Sequence, residues 1–140
     1  MLPRFSFAIP AMTLLMASSV PCAAELPPSV AAKLLVMVSK GIGQGGRVAA
    51  KDPSIAGELK NLGSLDGNAR VAWAVSEAEV KADVAQNKCV ICNNAKLLSN
   101  GAVLALVEEG GKPKFIISRE SMNIFGITLP DAVTRIATFQ

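Results

Sequence analysis

The amino-acid sequence predicts an α/β fold with about five strands and helices that cover the sheet. Short strand-like segments alternate with capped amphipathic helices through the middle of the chain, and two later apolar runs flank a glycine turn. Alternation of this kind is typical of parallel pairing. We therefore predict three strands in a parallel β-α-β-α-β series, followed by a C-terminal hairpin.

The first 24 residues have the organisation of a secretory signal peptide. Met1–Arg4 is basic, Phe5–Val20 is apolar and uncharged, and Cys22-Ala23-Ala24 offers small residues for cleavage. The apolar run is shorter than the about 20 residues that a membrane-spanning helix needs. We expect residues 1–24 to be removed and the mature protein to be periplasmic.

The predicted mature chain consists of a spacer, residues 25–28, and a single domain, residues 29–140. Two adjacent prolines keep the spacer extended. The full sequence has a net charge of only +3, its charges are scattered, and 4% of its residues are aromatic. We therefore expect no nucleic-acid partner.

A largely buried helix is predicted for residues 29–40, where apolar residues recur at helical spacing. The next segment, GIGQGG, formally matches the G-x-G-x-x-G dinucleotide fingerprint. That fingerprint requires a strand before it and a helix after it, and here the order is reversed. We interpret the segment as a helix end and connection. A small-ligand carrier stays open as an alternative, with a loop formed by Gly41, Gly43 and Gly46.

The first strand–helix unit begins with Val48–Lys51, a short strand. Asp52 is suited to cap the following helix, Pro53 to its first turn and Gly63 to its end. The residues predicted to face inward are Ile55, Leu59 and Leu62.

The second unit begins with residues 70–75, a strand with Val71, Trp73 and Val75 on one face and alanines on the other. Ser76 and Glu79 form a capping box for a helix that runs to about Gln86. The segment CVIC, Cys89–Cys92, then occupies the place of the third strand.

The C-terminal part contains the predicted hairpin, with strands Ala102–Val107 and Lys114–Ser118. Ser118 caps a short helix, Arg119–Phe125, which ends at Gly126. Thr128 and Asp131 resemble a second capping box for a final helix. The residues of this last helix predicted to face inward are Leu129, Val133, Ile136 and Ala137.

The sequence GAVLALVEEGGKPKFIIS followed by RESMNIFGITLPDAVTRIA, within Gly101–Phe139, resembles the YfiR-like family of small bacterial periplasmic proteins. The shared pattern is a glycine-led strand, a tight turn, a strand with a polar end, a short helix closed by glycine, and a last helix ending in an apolar–Ala pair. CVICN resembles the third strand of that family. The resemblance implies a binding module that represses a membrane-anchored signalling protein, such as a diguanylate cyclase or a sensor kinase.

The two cysteines of CVIC favour a structural role. Cys89 and Cys92 are three residues apart, so a strand directs them to opposite faces, where they cannot form a disulfide with each other. The chain has no His and no second Cys pair to complete a metal site. A thiol–disulfide or metal-handling protein that uses Cys89 and Cys92 is kept as an alternative.

No catalytic constellation is predicted. The chain lacks both His and Tyr, and no serine has the neighbours of an activated nucleophile. We therefore expect a protein that is not an enzyme and needs no cofactor or metal. A homodimer stays open. The residues predicted to contact a protein partner are Ile124, Phe125, Ile127 and Phe139.

Overall fold

The computed structural model describes residues 26–140, which form a six-stranded sheet with helices on both faces. The predicted α/β fold class is therefore confirmed. The predicted signal peptide, residues 1–24, lies outside the described residues. The predicted spacer is one residue shorter at its C-terminal end, because Pro28 is already the first residue of a helix, a position that suits proline.

The elements follow the predicted order for most of the chain, with two more strand pairings than expected. In chain order they are helix α1 (Pro28–Gly41), strand β1 (Ala49–Ala50), helix α2 (Pro53–Asn61), strand β2 (Val71–Ala74), helix α3 (Glu77–Ala85), strand β3 (Cys89–Cys92), a 3₁₀ helix (Ala95–Asn100), strands β4 (Leu104–Glu109) and β5 (Lys112–Ile117), helices α4 (Arg119–Phe125) and α5 (Asp131–Thr134), and strand β6 (Ala137–Phe139).

Three predicted N-caps form as the sequence indicates. The Asp52 carboxylate accepts a hydrogen bond from the Ser54 N–H at 3.1 Å, at the start of α2. The Ser76 hydroxyl accepts from the Glu79 N–H at 3.2 Å, at the start of α3. The Ser118 hydroxyl does the same for α4. Each bond satisfies a backbone donor that has no partner within its helix.

The strands lie side by side in the same order as in the chain. Strands β1 to β4 are all parallel, β4 and β5 form the predicted antiparallel hairpin, and β6 pairs in parallel with β5. The predicted parallel series is thus confirmed and extends by one strand. The 3₁₀ helix supplies the added crossover between β3 and β4.

The sheet has one bulky face and one face of small side chains. On the bulky face, Trp73 lies beside Ile91, and Ile91 lies beside Leu104. Helices α1 and α2 cover this face, which contains most of the buried core. On the second face, α3 and the 3₁₀ helix pack on smaller residues of the strands, including Ala74, Val90, Cys92 and Ala105.

Helices α2 and α3 lie on opposite faces of the sheet, although both connect a strand to its next neighbour in the same direction. Two such crossovers must have opposite hands, so one of them departs from the usual right-handed rule. The first crossover begins at a strand of only two residues, β1, and its helix packs against α1 as well as the sheet. Helix α2 thus lies on the same face as α1, in contact with it.

The prediction of a final helix is wrong beyond residue 134. Helix α5 ends at Thr134, and Ala137–Phe139 forms β6. The N-cap residue of α5 is Pro130, with no side-chain cap bond, and Ile136 is 56% exposed instead of inward. A strand forms here in place of the predicted helix because its pairing with β5 continues into Gln140. The Gln140 N–H donates to the Ile117 carbonyl at 2.8 Å.

Helix α2 is also shorter than its apolar pattern indicates. It ends at Asn61, and Leu62 is its C-cap, 45% exposed, so the prediction that Leu62 faces inward is wrong. The predicted stop at Gly63 is confirmed by its φ of +71°, a conformation that glycine adopts without strain.

Two helical glycines differ in the space around them and allow a matched test of the packing of α1. A Cβ on Gly41, at the end of α1, would overlap the Pro130 ring, whereas a Cβ on Gly57 in α2 would meet nothing within 4 Å. We expect Gly41→Ala to lower the free energy of unfolding by about 1–3 kcal/mol. Gly57→Ala should raise it by about 0.5–1 kcal/mol. Urea unfolding measures both, and a Gly41→Ala variant as stable as the parent would contradict the observed contact.

Candidate functional site

Because β1 to β4 are parallel, the described domain has two distinct strand-end edges. Asp52 and Asn93 follow β1 and β3 at the carboxyl edge, while Arg70 and Cys89 lie at the amino ends of β2 and β3. Open α/β sheets bind ligands beyond the carboxyl ends of their strands. Of the residues that the sequence analysis names, the glycine loop and Cys89 lie at the amino edge, and Asp52 lies at the carboxyl edge.

The glycine loop 41–46 lies at the amino edge, between α1 and β1. Gly43, Gly45 and Gly46 have positive φ values of 85°, 68° and 80°. Two of the N–H groups in the loop are already engaged, since Gly43 donates to Lys40 and Gln44 donates to Ser39. The loop is therefore a closed connection in which Gly41 contacts Pro130 and Gly46 is buried.

A small pocket of about 50 Å³ at this edge brings three predicted groups together. It joins the glycine loop, the first cysteine of CVIC and two of the C-terminal apolar residues. Its lining residues are Ile42, Gln44, Arg70, Asn87, Cys89, Phe125 and Ile127. None of the three predicted loop glycines is part of this lining, and the other predicted residues outside it are Cys92, Ile124 and Phe139.

The two cysteines of CVIC are free and buried, and they face opposite sides of β3. Cys89 belongs to the core beneath α1, whereas Cys92 lies beneath the 3₁₀ helix, where its thiol donates to the Asn94 carbonyl at 3.2 Å. Burial raises the pKa of Cys89 to about 12 and that of Cys92 to about 11. Since the thiolate is the nucleophile, neither side chain is activated for redox chemistry.

The four predicted partner-binding residues differ in exposure. Ile124 on α4 is 75% exposed. Phe125, Ile127 and Phe139 are half-buried and pack against the core beneath α1. The guanidinium of Arg119 lies 4.7 Å from the centre of the Phe139 ring, which is within cation–π range.

A cleft with a volume of about 130 Å³ lies at the carboxyl edge, on the bulky face. Its walls come from the starts of α1 and α2 and from β2 to β4. The polar lining residues are Asp52, Ser54, Trp73 and Asn93. The apolar lining residues are Leu26, Pro28, Ala31, Ile55 and Leu106.

Two residues of this cleft carry buried polar atoms without a partner. Among residues 26–140, only Trp73 Nε1 and Asn93 Oδ1 are buried side-chain nitrogen or oxygen atoms that make no hydrogen bond. Buried polar groups are normally satisfied, so each exception requires an explanation. The sequence pattern predicts Trp73 on the bulky face of its strand and Asp52 as a helix cap, but it does not predict the cleft. Polar residues just after two parallel strands were the available indication.

A third cavity, of about 100 Å³, lies between α3 and the first strand, β1. Its lining includes Asp83, Lys51 and Lys88. Asp83 is only 6% exposed. Burial raises the pKa of its carboxyl, and the positive charges of Lys51 and Lys88 offset part of this effect.

Residues 26–140 lack two further features. That part of the chain contains no group of three or more His, Cys, Asp or Glu residues placed to hold a metal ion. It also contains no helix with the length and apolar character needed to cross a membrane.

No family model and no curated protein matches this chain. A solved structure with a similar fold is the conserved domain protein from Vibrio cholerae O1 biovar El Tor strain N16961, with a TM-score of 0.57 and 13% sequence identity. The match covers 82% of this chain and 60% of the Vibrio protein, so the chain spans about three fifths of that protein's length. At this identity the likeness shows the α/β fold alone.

Thiol labelling tests the burial of CVIC. At pH 8, iodoacetamide should modify Cys89 and Cys92 at least about a hundredfold more slowly in the native protein than after unfolding in guanidinium, because burial raises both thiol pKa values well above the ordinary 9.0. Mass spectrometry of peptides separates these two thiols from Cys22. Rapid native labelling of either residue would refute the buried strand.

The buried carboxyl of Asp83 gives a pH-dependent prediction. An acid whose pKa is raised in the folded state destabilises that state at pH values above its unfolded pKa, where the unfolded chain ionises more readily. Asp83→Asn should therefore raise the free energy of unfolding at pH 7, with a gain that shrinks as the pH falls toward 3. Urea titrations at both pH values measure the gain. A gain that grows at low pH would show that the Lys51 and Lys88 attractions dominate.

Proposed function

We propose that this protein is a non-enzymatic periplasmic binding module that contacts the periplasmic domain of a membrane-anchored signalling protein and represses its output. The partner class is a diguanylate cyclase or a sensor kinase. The proposal rests on the resemblance of Gly101–Phe139 to YfiR-like proteins, together with one structural observation. Ile124, inside that segment, is 75% exposed.

The exposed apolar residues support a contact surface in the C-terminal part. Single exposed apolar residues are common on protein surfaces. Here, however, Ile124 and Ile136 are the two most exposed large apolar residues in the described chain, and both lie in the segment that carries the resemblance. Phe125, the last residue of α4, packs against the core, and so does Phe139, whose ring lies beside Arg119 at the start of α4. They hold α4 in place, so that Ile124 projects into solvent.

The available side chains also support a non-catalytic role. The whole sequence has no His or Tyr, and both thiols of CVIC are buried with raised pKa values. At the hairpin tip, Glu109 forms an exposed ion pair with Lys114, which is a solvated arrangement. These features leave recognition as the better-supported activity.

The thiol–disulfide and metal-handling alternative has less support, because Cys89 and Cys92 face opposite sides of the sheet. A small-ligand carrier built on the glycine loop also has less support, since Gly43 and Gln44 already use their N–H groups within the loop.

The contact surface is tested by cross-linking a tagged full-length chain in its native host. We expect recovery of a membrane protein with a signalling output domain, and at least about a tenfold lower recovery with Ile124→Glu. A carboxylate that is buried in an interface without a partner costs several kcal/mol of binding free energy. Leu62→Glu is the matched control, because Leu62 is also exposed but lies at the end of α2.

Three results would count against this proposal. Recovery of nothing above an untagged strain would remove the protein partner. Equal recovery with Ile124→Glu and Leu62→Glu would place the contact away from α4. Recovery of a second copy of this chain alone would make the surface a homodimer interface.

A further inference from the structure

We infer that a second copy of this chain binds at the open edge of β6, the last strand of the sheet. Strand β6 pairs with β5 on one side, and within the described residues the sheet ends there. The surface is the outward edge of Ala137–Phe139. It does not include Ile124 on α4, so the inference goes beyond the protein partner proposed above and does not depend on it.

The hydrogen bonds of β6 show which of its backbone groups face outward. Gln140 donates to the Ile117 carbonyl at 2.8 Å and accepts at 3.0 Å from the N–H of the first residue of α4, so both of its backbone groups point toward the β5 side. Successive residues of a strand direct these groups to opposite sides. Thr138 therefore also faces β5, and Ala137 and Phe139 present their N–H and C=O groups outward.

These outward groups are complementary to a second copy of themselves. In an antiparallel pair, two opposite residues whose backbone groups face each other exchange both hydrogen bonds. When two copies of β6 meet about a two-fold axis at Thr138, Ala137 of one copy lies opposite Phe139 of the other. The same pair recurs on the other side of the axis. Every outward N–H and C=O of the strand then has a partner, as a two-fold interface requires.

The side chains of β6 do not oppose this pairing. Edge strands are usually protected from association by Lys, Pro or a bulge. The sequence IATFQ, residues 136–140, has no charge and no Pro. The other edge strand, β1, has only two paired residues, and Lys51 follows it directly. In the symmetric pairing Thr138 faces Thr138 of the second copy, which is a favourable cross-strand pair. Like charges are the usual obstacle when a strand pairs with itself, and β6 carries none.

An exposed isoleucine beside the strand adds an apolar contribution. Ala137 and Phe139 turn their side chains toward the bulky face, where they pack against the core. Because side chains alternate, Ile136 and Thr138 project from the other face, and Ile136 is 56% exposed. In the dimer Ile136 lies opposite Gln140 of the second copy and is partly covered by it. A strand of three residues buries little area, so we expect a weak dimer, with a dissociation constant of roughly 10–100 µM.

Charged substitutions at Thr138 test the pairing. Because Thr138 faces its own copy, Thr138→Lys or Thr138→Glu places two like charges directly opposite each other. We expect either variant to raise the dissociation constant at least about fivefold. An equimolar mixture of the two variants should associate at least as tightly as the parent, since Lys then faces Glu. Sedimentation equilibrium of the protein purified from its native host, under reducing conditions that exclude disulfides, measures each constant.

A matched control and a second measurement locate the interface. Thr128→Lys makes the same change at another exposed Thr, between α4 and α5, and should dimerise like the parent. Hydrogen exchange reports on the new bonds directly. The amide protons of Ala137 and Phe139 should exchange more slowly as the concentration of the parent rises, and this dependence should be lost in Thr138→Lys.

Three results would overturn the inference. A parent protein that stays monomeric up to about 1 mM would remove self-association at any relevant affinity. A dimer that withstands both charged variants, or a mixture of them that fails to associate, would place the interface elsewhere. Loss of a cross-linked membrane protein in Thr138→Lys, with no dimer of the parent, would assign the β6 edge to a strand of that partner. A monomeric parent with an unchanged cross-linking result would leave the proposed function intact, so the two proposals fail separately.

Discussion

The fold depends on the burial of one apolar face of the sheet beneath helix α1. Leu35 and Val38 of α1 are fully buried against side chains that line up across neighbouring strands, such as Val71 beside Cys89. Each such side chain contributes roughly 1.5–3 kcal/mol by leaving water. Helix α1 also runs from the carboxyl edge of the sheet to its amino edge. Its first turn lines the polar cleft, and its last residue contacts Pro130 in the C-terminal part.

The part of the fold that follows from local chemistry could be predicted. The caps at Asp52, Ser76 and Ser118, the stop at Gly63 and the glycine turn of the hairpin each depend on residues within a few positions of one another. The alternation of bulky and small residues in VAWA also identifies the two faces of β2, because side chains in a strand alternate. Strand order along the first three strands then follows from connection length.

Features that depend on distant residues could not be predicted in this way. The segment DAVTRIATF has helical spacing, but Ala137–Phe139 gains more by pairing with β5, which is distant in the sequence. The face on which α2 lies is the one that α1 covers. The cleft is formed by five segments, and its residues have ordinary local explanations: Asp52 as a cap, Trp73 as core, Asn93 as a polar strand end. Only the structure shows that these residues line one cleft and that two of them carry buried polar atoms without a partner.

The agreement between strand order and chain order affects how the molecule can assemble during synthesis. Each strand from β2 to β6 adds to the free edge left by the strand before it, so no strand has to enter between two that are already paired. A chain that emerges from its N-terminal end can therefore build this sheet progressively, in one direction, as residues become available. The hairpin and β6 complete the sheet last, and the growing edge is always the most recently made part of the chain.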